Sequence, residues 1–545
     1  MSRTYGEDDE VSSTTPLLGR ERSPPVDGNT TVPDDGGRYF DDVPASKRQL
    51  GVLSSVSLIF NRMIGTGIYA TPSLILRASG SVGLFFTLWL LGALIAAVGM
   101  AVFVEFGTGI PRNGGEKNYL EYIYKRPRLL ATCCYIMFAC MLGWSSANSV
   151  VFGEYMVHAF GGQITQWNTR IVGFVCISLV TAIHIFHLNL GLRIQNTLAV
   201  VKFGVLIFLV GSGLLASLGL IRLEHKANNF ENIWEGTTKD PNAFVSGLYN
   251  VLWSFNGYSN AHYALSETKD PVKTIKRAAP IAMMSMTAIY FLVNISYLAV
   301  VPKEQIEAGG RVIAALYFGN LFGNIAERVL SIVICMSTFG NIQAVCFSQS
   351  RAIQELGREG VIPFSAYFAS NAPFNTPFLA LSFSLAVNAF WMFVPPPGDA
   401  FNFVANVNLL PIAWINLAIS GGLLCVYLSR YEWFRASPKQ KREGEEWNPP
   451  YQAGVVAVGT FFFANVFLFF APFIPPKQLF RLYDHLPYWS HIAGAAVVIG
   501  IGIIYWYIWA KLLPQIGRYR LEREIVIQAD GVSRVAIRKI PVNVL

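Results

Sequence analysis

Long apolar runs alternate with short polar stretches along almost the whole chain. Runs of about 20 apolar residues fit helices that cross a hydrocarbon core about 30 Å thick. About twelve such spans are predicted: 49–77, 82–108, 129–160, 169–188, 193–219, 243–269, 274–301, 324–356, 376–394, 400–429, 453–473 and 486–513. The short alternating segments of a β-barrel are absent. The fold class is therefore all-α, a polytopic membrane protein.

Two spans break near their middle. The first carries Asn61–Arg62–Met63–Ile64–Gly65–Thr66–Gly67–Ile68–Tyr69, and the sixth carries Trp253–Ser254–Phe255–Asn256–Gly257–Tyr258–Ser259–Asn260. Glycines at membrane depth also serve close helix packing, and a single Gly-Thr-Gly reads that way as readily. The second break shifts the balance. Asn256, Gly257, Ser259 and Asn260 form a polar cluster in an apolar span, which is expensive unless it lines a wet cavity. Interrupted spans at matching places in two halves point to the binding site of a secondary transporter. The first five spans (49–220) and the next five (243–430) then form two repeats. An odd number of spans per repeat inverts one against the other across the membrane. The inference rests on position and on the paired breaks, since the sequence shows no repeat identity. Residues 431–452 form a loop between the repeats and accessory spans eleven and twelve (453–513), and a tail follows over 514–545.

Composition agrees. Of the 545 residues 53% are hydrophobic and 14% charged, where a soluble domain carries about 25%. The net charge of +8 comes from basic residues that flank apolar spans, so no nucleic acid partner is expected. Lys and Arg crowd the second loop (Arg112, Lys117, Lys125, Arg126, Arg128), the sixth (Lys269, Lys273, Lys276, Arg277) and the tenth (Arg430, Arg435, Lys439, Lys441, Arg442). The alternate loops are poorer, apart from the fifth, with Arg222, Lys226 and Lys239. This asymmetry predicts that both termini are cytosolic. Residues 1–48 lack an apolar h-region and read as a disordered cytosolic tail. All seven cysteines fall in apolar segments, and neither CxxC nor metal-ligand spacing occurs, so no external disulfide, metal or cofactor is expected.

An unwound stretch frees backbone N–H groups on one side and C=O groups on the other. The half-helix that starts near Gly65 offers amides and a positive dipole end, which suit a carboxylate. The half-helix that ends near Met63–Ile64 offers carbonyls, which suit an ammonium. Glycine lets a ligand approach the backbone closely. An α-amino acid fits Ile64, Gly65, Thr66 and Gly67, with further carbonyls from Trp253 and Phe255 beside Asn256 and Gly257.

Several motifs carry a family resemblance over about residues 50–430. Gly65–Thr66–Gly67–Ile68–Tyr69 resembles the G-[ST]-G-I-[FY] signature of the amino acid–polyamine–organocation superfamily. Pro111–Arg112–Asn113–Gly114–Gly115 is similar to the P-R-[SN]-G-G of its L-type amino-acid transporter family. Arg193–Ile194–Gln195–Asn196 leading to Lys202, and Ser350–Arg351 followed by Arg358–Glu359–Gly360, resemble that family's fifth helix and its motif after helix eight. Gly114 to Tyr122, Asn61 to Gly67 and Tyr263 to Glu267 are similar to the versions in fungal methionine permeases. The resemblance implies an L-methionine or other neutral amino-acid carrier of the plasma membrane. Asn256 departs from the glycine usual there, so pocket sizes do not carry over from large-neutral-amino-acid carriers.

Residue chemistry adds detail. Trp144, Phe255 and Trp414 suit a thioether ligand, although each also reads as a packing or lipid-facing aromatic. Lys202 sits mid-span between Val201 and Phe203, where a charge is costly and functional by default. By resemblance it points at the first break. It then either couples proton movement to substrate movement or braces the break as a fixed charge. Arg62 is a gate candidate with Glu267 or Glu105 as partner, or it snorkels to the interface. His262 is read as a packing histidine, and Glu154 as reaching water at the outer end of span three. Glu524–Gln528 and Val532–Lys539 around Ala529–Asp530–Gly531 predict a hairpin, which would pack on the cytosolic face as a plug or remain a disordered tail. Lys47 is the candidate site for ubiquitin-ligase machinery. A proton-coupled symporter leads. An exchanger of broader neutral specificity and a non-transporting nutrient sensor are the alternatives. No HExxH, nucleophile elbow or P-loop marks an enzyme.

Overall fold

The computed structural model describes residue 48 and residues 50–541, apart from 222–226, 397, 430–446, 476–481 and 528–532. The N-terminal tail with Lys47, the charges from Arg430 to Arg442 and the Asp530–Gly531 turn lie outside the described residues.

Nine helices among the described residues are long and apolar enough to cross a membrane. They include α3 (Val82–Gly109), α7 (Gln166–Phe186), α8 (Leu188–Ser217), α10 (Pro271–Val300), α12 (Ile313–Arg358), α15 (Ala400–Leu428) and α17 (Ser490–Trp506). Three more crossings are shorter or divided. One is α1 (Val52–Met63) with α2 (Thr66–Ser79). Another is α9 (Pro241–Phe255) with a 3-10 segment, Asn260–Glu267. The third is α14 (Phe378–Phe393). The twelve are those predicted. A few of their starts are capped by side chains. The Ser81 hydroxyl accepts from Leu84 N, and the Asp240 carboxylate accepts from Asn242 N with Pro241 in the first turn. Gly80, at φ 69°, ends α2. Within α12, Gly323 (φ 80°) separates a short first part from the eighth crossing.

Both predicted breaks are present, and they are adjacent. α2 packs along α9, while α1 packs on the 3-10 segment, so the two divided crossings run antiparallel. At the contact Gly67 lies against Ser254, where a Cβ would come within 2.8 Å of backbone, and the Thr71 and Ser254 hydroxyls are 2.8 Å apart. The Gly-Thr-Gly thus serves close packing as well as the break. Tyr290 of α10 holds the two together. Its hydroxyl lies 2.8 Å from both Met63 O and Ser254 O and shares one proton between them.

A third break was not anticipated. The span read as continuous over 129–160 divides into α5 (Leu130–Met141) and α6 (Ser146–Ala159). The exposed backbone polar groups there are satisfied from neighbouring helices, as low-dielectric surroundings require. Trp391 Nε1 donates to Met141 O (2.6 Å), Gln349 Nε2 to Leu142 O (2.7 Å), and Asn388 Oδ1 accepts from Ser145 N (2.8 Å). Those partners lie more than 200 residues away, which is why local sequence does not betray the break.

On one face a short helix, α4 (Glu116–Ile123), follows α3, and the C-terminal hairpin covers it. Strands β1 (Tyr519–Ile527) and β2 (Ser533–Pro541) pair antiparallel, with Ile527 opposite Ser533. An isolated hairpin is marginal in water, and this one is docked. Ile537 N donates to Glu359 O (2.8 Å), Arg523 pairs with Glu121 (3.1 Å), and Leu521 and Ile537 pack on the core. Arg112 and Lys117, read as topology charges, are buried beside Glu121 at 3.7 Å each, and Lys117 also pairs with Glu359.

Candidate functional site

A cavity lies between the break in the sixth crossing, α15 and α4. The sequence-derived candidates Arg62, Trp144, Trp253, Asn256 and Gly257 line it. Ser259 and Asn260 of the predicted polar cluster line it too, together with Glu116, Asn408 and Asn416, which were not anticipated. Gly257 is where the backbone must be glycine. Its φ is +119°, and a Cβ would meet Arg62 Cγ at 2.3 Å.

Arg62 stands with its guanidinium 5.6 Å from the Trp144 ring centroid, and its buried Nη1 has no hydrogen-bond partner among the described residues. The expected pairs with Glu267 and Glu105 do not form. Glu267 is exposed. Glu105 is buried and accepts from Tyr427 Oη (2.9 Å), Trp447 Nε1 (2.8 Å) and Ala453 N (2.8 Å), so it ties α3 to α15 and to the approach of α16 (Val455–Phe470). The acid that faces Arg62 across the cavity is Glu116, which accepts hydrogen bonds from the Ser259 and Tyr263 hydroxyls. Burial pushes its carboxyl above the ordinary range, against the pull of those two hydrogen bonds and of Arg62.

Ile64, Gly65, Thr66 and Gly67 form the layer behind the cavity wall, all buried. The carbonyls at the end of α1 are already engaged, which corrects the expectation that they stand free for an ammonium. Asn341 Nδ2 donates to Asn61 O (3.3 Å) and Arg62 O (3.1 Å), Tyr290 to Met63 O, and Lys202 Nζ to Ile64 O (3.0 Å). The opening amides of α2 have no intrahelical acceptor by construction and remain the natural anion contact. A relay of amides fixes this end. The Thr66 hydroxyl donates to Asn148 Oδ1 (2.5 Å), and Asn148 Nδ2 donates to Asn341 Oδ1 (2.9 Å). Asn341 occupies the space that a side chain on Gly65 would need.

Lys202 is 2% exposed, packs against Gly340 and reaches the first break as the resemblance implied. Phe255 does not face the cavity. It is fully buried behind the break, edge-on to Trp89 (6.0 Å) and Tyr290 (5.1 Å), because the unwound turn rotates it away from Asn256. Trp414 is half-buried and is not among the lining residues. His262 is fully buried with Nδ1 2.9 Å from Tyr119 Oη. Glu154 is paired rather than solvated. It is buried and accepts two nitrogens of Arg311, with Nε at 2.9 and 3.1 Å from its oxygens. Asn148, Tyr290 and Asn341 carry much of the site's geometry. Their one sequence signal is an amide or hydroxyl inside an apolar span.

Two adjacent divided crossings beside a polar, charged cavity at membrane depth define a secondary transporter. The chain belongs to the amino acid permease family, whose model matches residues 50–501. It is 41% identical to the high-affinity methionine permease of Saccharomyces cerevisiae over 522 residues, covering 94% of this chain and 89% of that one. It is 30% identical to the low-affinity methionine permease of the same yeast, over 90% of this chain and 88% of that one. The mouse b(0,+)-type amino acid transporter 1 is 27% identical over 58% of this chain and 63% of its own length. The protein is therefore a multi-pass membrane transporter of the amino acid permease family, not an enzyme, and related to the L-type carriers.

Proposed function

We propose that the protein takes up methionine across the plasma membrane by proton-coupled alternating access. The methionine reading is supported by similarity along nearly the whole chain to a high-affinity methionine permease. The mechanism rests on one observation, the Lys202 ammonium on the Ile64 carbonyl at the first break. A charge held there draws the carbonyl end of α1 toward α8. Loss of the proton leaves only a weaker, uncharged hydrogen bond there and frees the break to reshape. Once the reshaped break brings them to the cavity, the opening amides around Gly65–Gly67 take the substrate carboxylate, while its ammonium takes remaining carbonyl lone pairs near Trp253 and Asn256 and its thioether lies against Trp253 and Trp144. Arg62 and Glu116 form the charged mouth toward α4. Phe255 and Trp414 act through packing. Residues 49–220 and 243–430 are the inverted repeats, and the accessory pair follows. Both termini and the hairpin are cytosolic, the hairpin serving as a plug on that face. Lys47 is the acceptor for ubiquitin-dependent turnover. The lipid bilayer is the remaining partner.

The test is radiolabelled methionine uptake into proteoliposomes with and without an imposed proton gradient. Gradient-driven accumulation that competes with unlabelled methionine supports the reading. Accumulation only against preloaded amino acid makes the chain an exchanger, and tight binding without uptake makes it a sensor. In a Lys202→Ala variant uptake should become flat with external pH. Steep pH dependence unchanged by that substitution would refute coupling through Lys202.

A further inference from the structure

The cavity is roofed on the side away from α4 and the hairpin. Trp253 lines the cavity and meets Phe401 of α15 edge-on, with ring centroids 6.5 Å apart. Phe401 is fully buried, and the Arg311 guanidinium lies 5.1 Å from its centroid. Arg311 belongs to neither wall. It precedes α12 on a loop that turns at Gly309–Gly310, where Gly310 has φ +65° and no atom crowds its missing side chain. The guanidinium fork grips Glu154 of α6 with both carboxylate oxygens engaged. The start of α15 cannot yield by itself. Asp399 beside it accepts the backbone amides of Asp484 (2.6 Å), His485 (2.9 Å) and Leu486 (3.0 Å). The movable part of the roof is therefore the Arg311 loop, which Glu154 grips directly while the Asp484 carboxylate adds a weaker attraction to Arg311.

We propose that Arg311 and Glu154 are the lock of the outer gate. While they are paired, the loop presses Phe401 onto Trp253 and closes the cavity on this face, and their separation lets the loop lift. A pair at this rim suits a reversible lock. Its side chains are 19% and 7% exposed, so water that enters as the loop lifts solvates both charges, whereas deep in the core separation would strand them. The proposal rests on reading the cavity as the substrate path and the hairpin face as cytosolic.

The experiment places a cysteine at Asn408 on the cavity wall of the full-length chain. It then measures labelling in intact cells by a membrane-impermeant thiol reagent added outside, with the parent chain as background. With the lock intact labelling is slow. Glu154→Gln and Arg311→Gln each speed it at least tenfold, and the exchange of the two charges, Glu154→Arg with Arg311→Glu, slows it again when made with Asp484→Asn, which removes the second carboxylate near position 311. Arg311→Lys keeps the cation and loses the fork, giving an intermediate rate in a variant that retains charge balance. Equal rates in the paired chain and the single variants overturn the lock, and so does a charge exchange that labels as fast as the singles. The readout uses no amino acid. A failed methionine uptake assay therefore leaves this result standing, and failed gating leaves the substrate assignment standing.

Discussion

Tyr290 and Gly257 show how much of the site depends on single atoms. The Tyr290 hydroxyl is buried and bridges the two breaks, so Tyr290→Phe leaves Met63 O and Ser254 O without their shared donor. The loss is about 1–3 kcal/mol for buried acceptors left unsatisfied. Methionine uptake by this variant should fall about tenfold or more while far-ultraviolet circular dichroism stays helical. Gly257→Ala should be worse. A positive φ and a clash with Arg62 Cγ combine, and strain of this sort costs about 1–3 kcal/mol, so both thermal stability and uptake drop. What was legible at this scale follows a rule. Gly65, Gly67, Asn256 and Lys202 announced themselves, because polar or side-chain-free residues stand out in apolar spans. Partners did not. Arg62 faces Glu116 rather than Glu267, and Glu154 meets Arg311, because such pairs are made by tertiary packing across 54 and 157 positions of sequence. The direction of Phe255 was unreadable for another reason. Helical periodicity assigns faces, and periodicity ends where the helix does.

Among elements, the hairpin and α4 act as one assembly. Burial by itself would raise the Glu121 carboxyl, but Lys117, Arg523 and Arg112 outweigh it and hold it down to about 2. A carboxylate depressed in the folded state adds stability that is fully present above its unfolded value, near 4.5, and is lost as pH falls toward 2. Docking of β1 should therefore weaken across that window. Limited proteolysis between pH 5 and pH 3 should cut the hairpin progressively faster. In Glu121→Gln cutting should already be fast at pH 5 and respond less to acid. Uniform cutting in both chains would refute this account. The hairpin itself was legible, since Asp-Gly between β-prone runs is a local signal. The third break was not, because the side chains of Gln349, Asn388 and Trp391 that sustain it come from α12 and α14.

Across the whole molecule, an even number of crossings returns the chain to the face where it began. Leu50 bridges Thr268, while the hairpin binds Glu121 and Glu359 on the α4 face. Epitope tags at both ends should be reached by antibody only after permeabilisation, and one in the Gln163–Thr165 loop without it. Detection of either end in intact cells would reverse the orientation. The twelve-crossing plan could be read from hydropathy, because a chain must repeat about 20 apolar residues to satisfy its backbone in lipid.

The phenol that spans both kinks also limits how the carrier can move. If either kinked rod shifted without the other, a dry carbonyl would lose its donor with no water at hand to replace it. An empty carrier thus tends to swing the two rods as a single piece pinned at α10. Parting them is left to a guest that brings its own hydrogen bonds, so cargo rather than thermal drift sets when the pair comes undone.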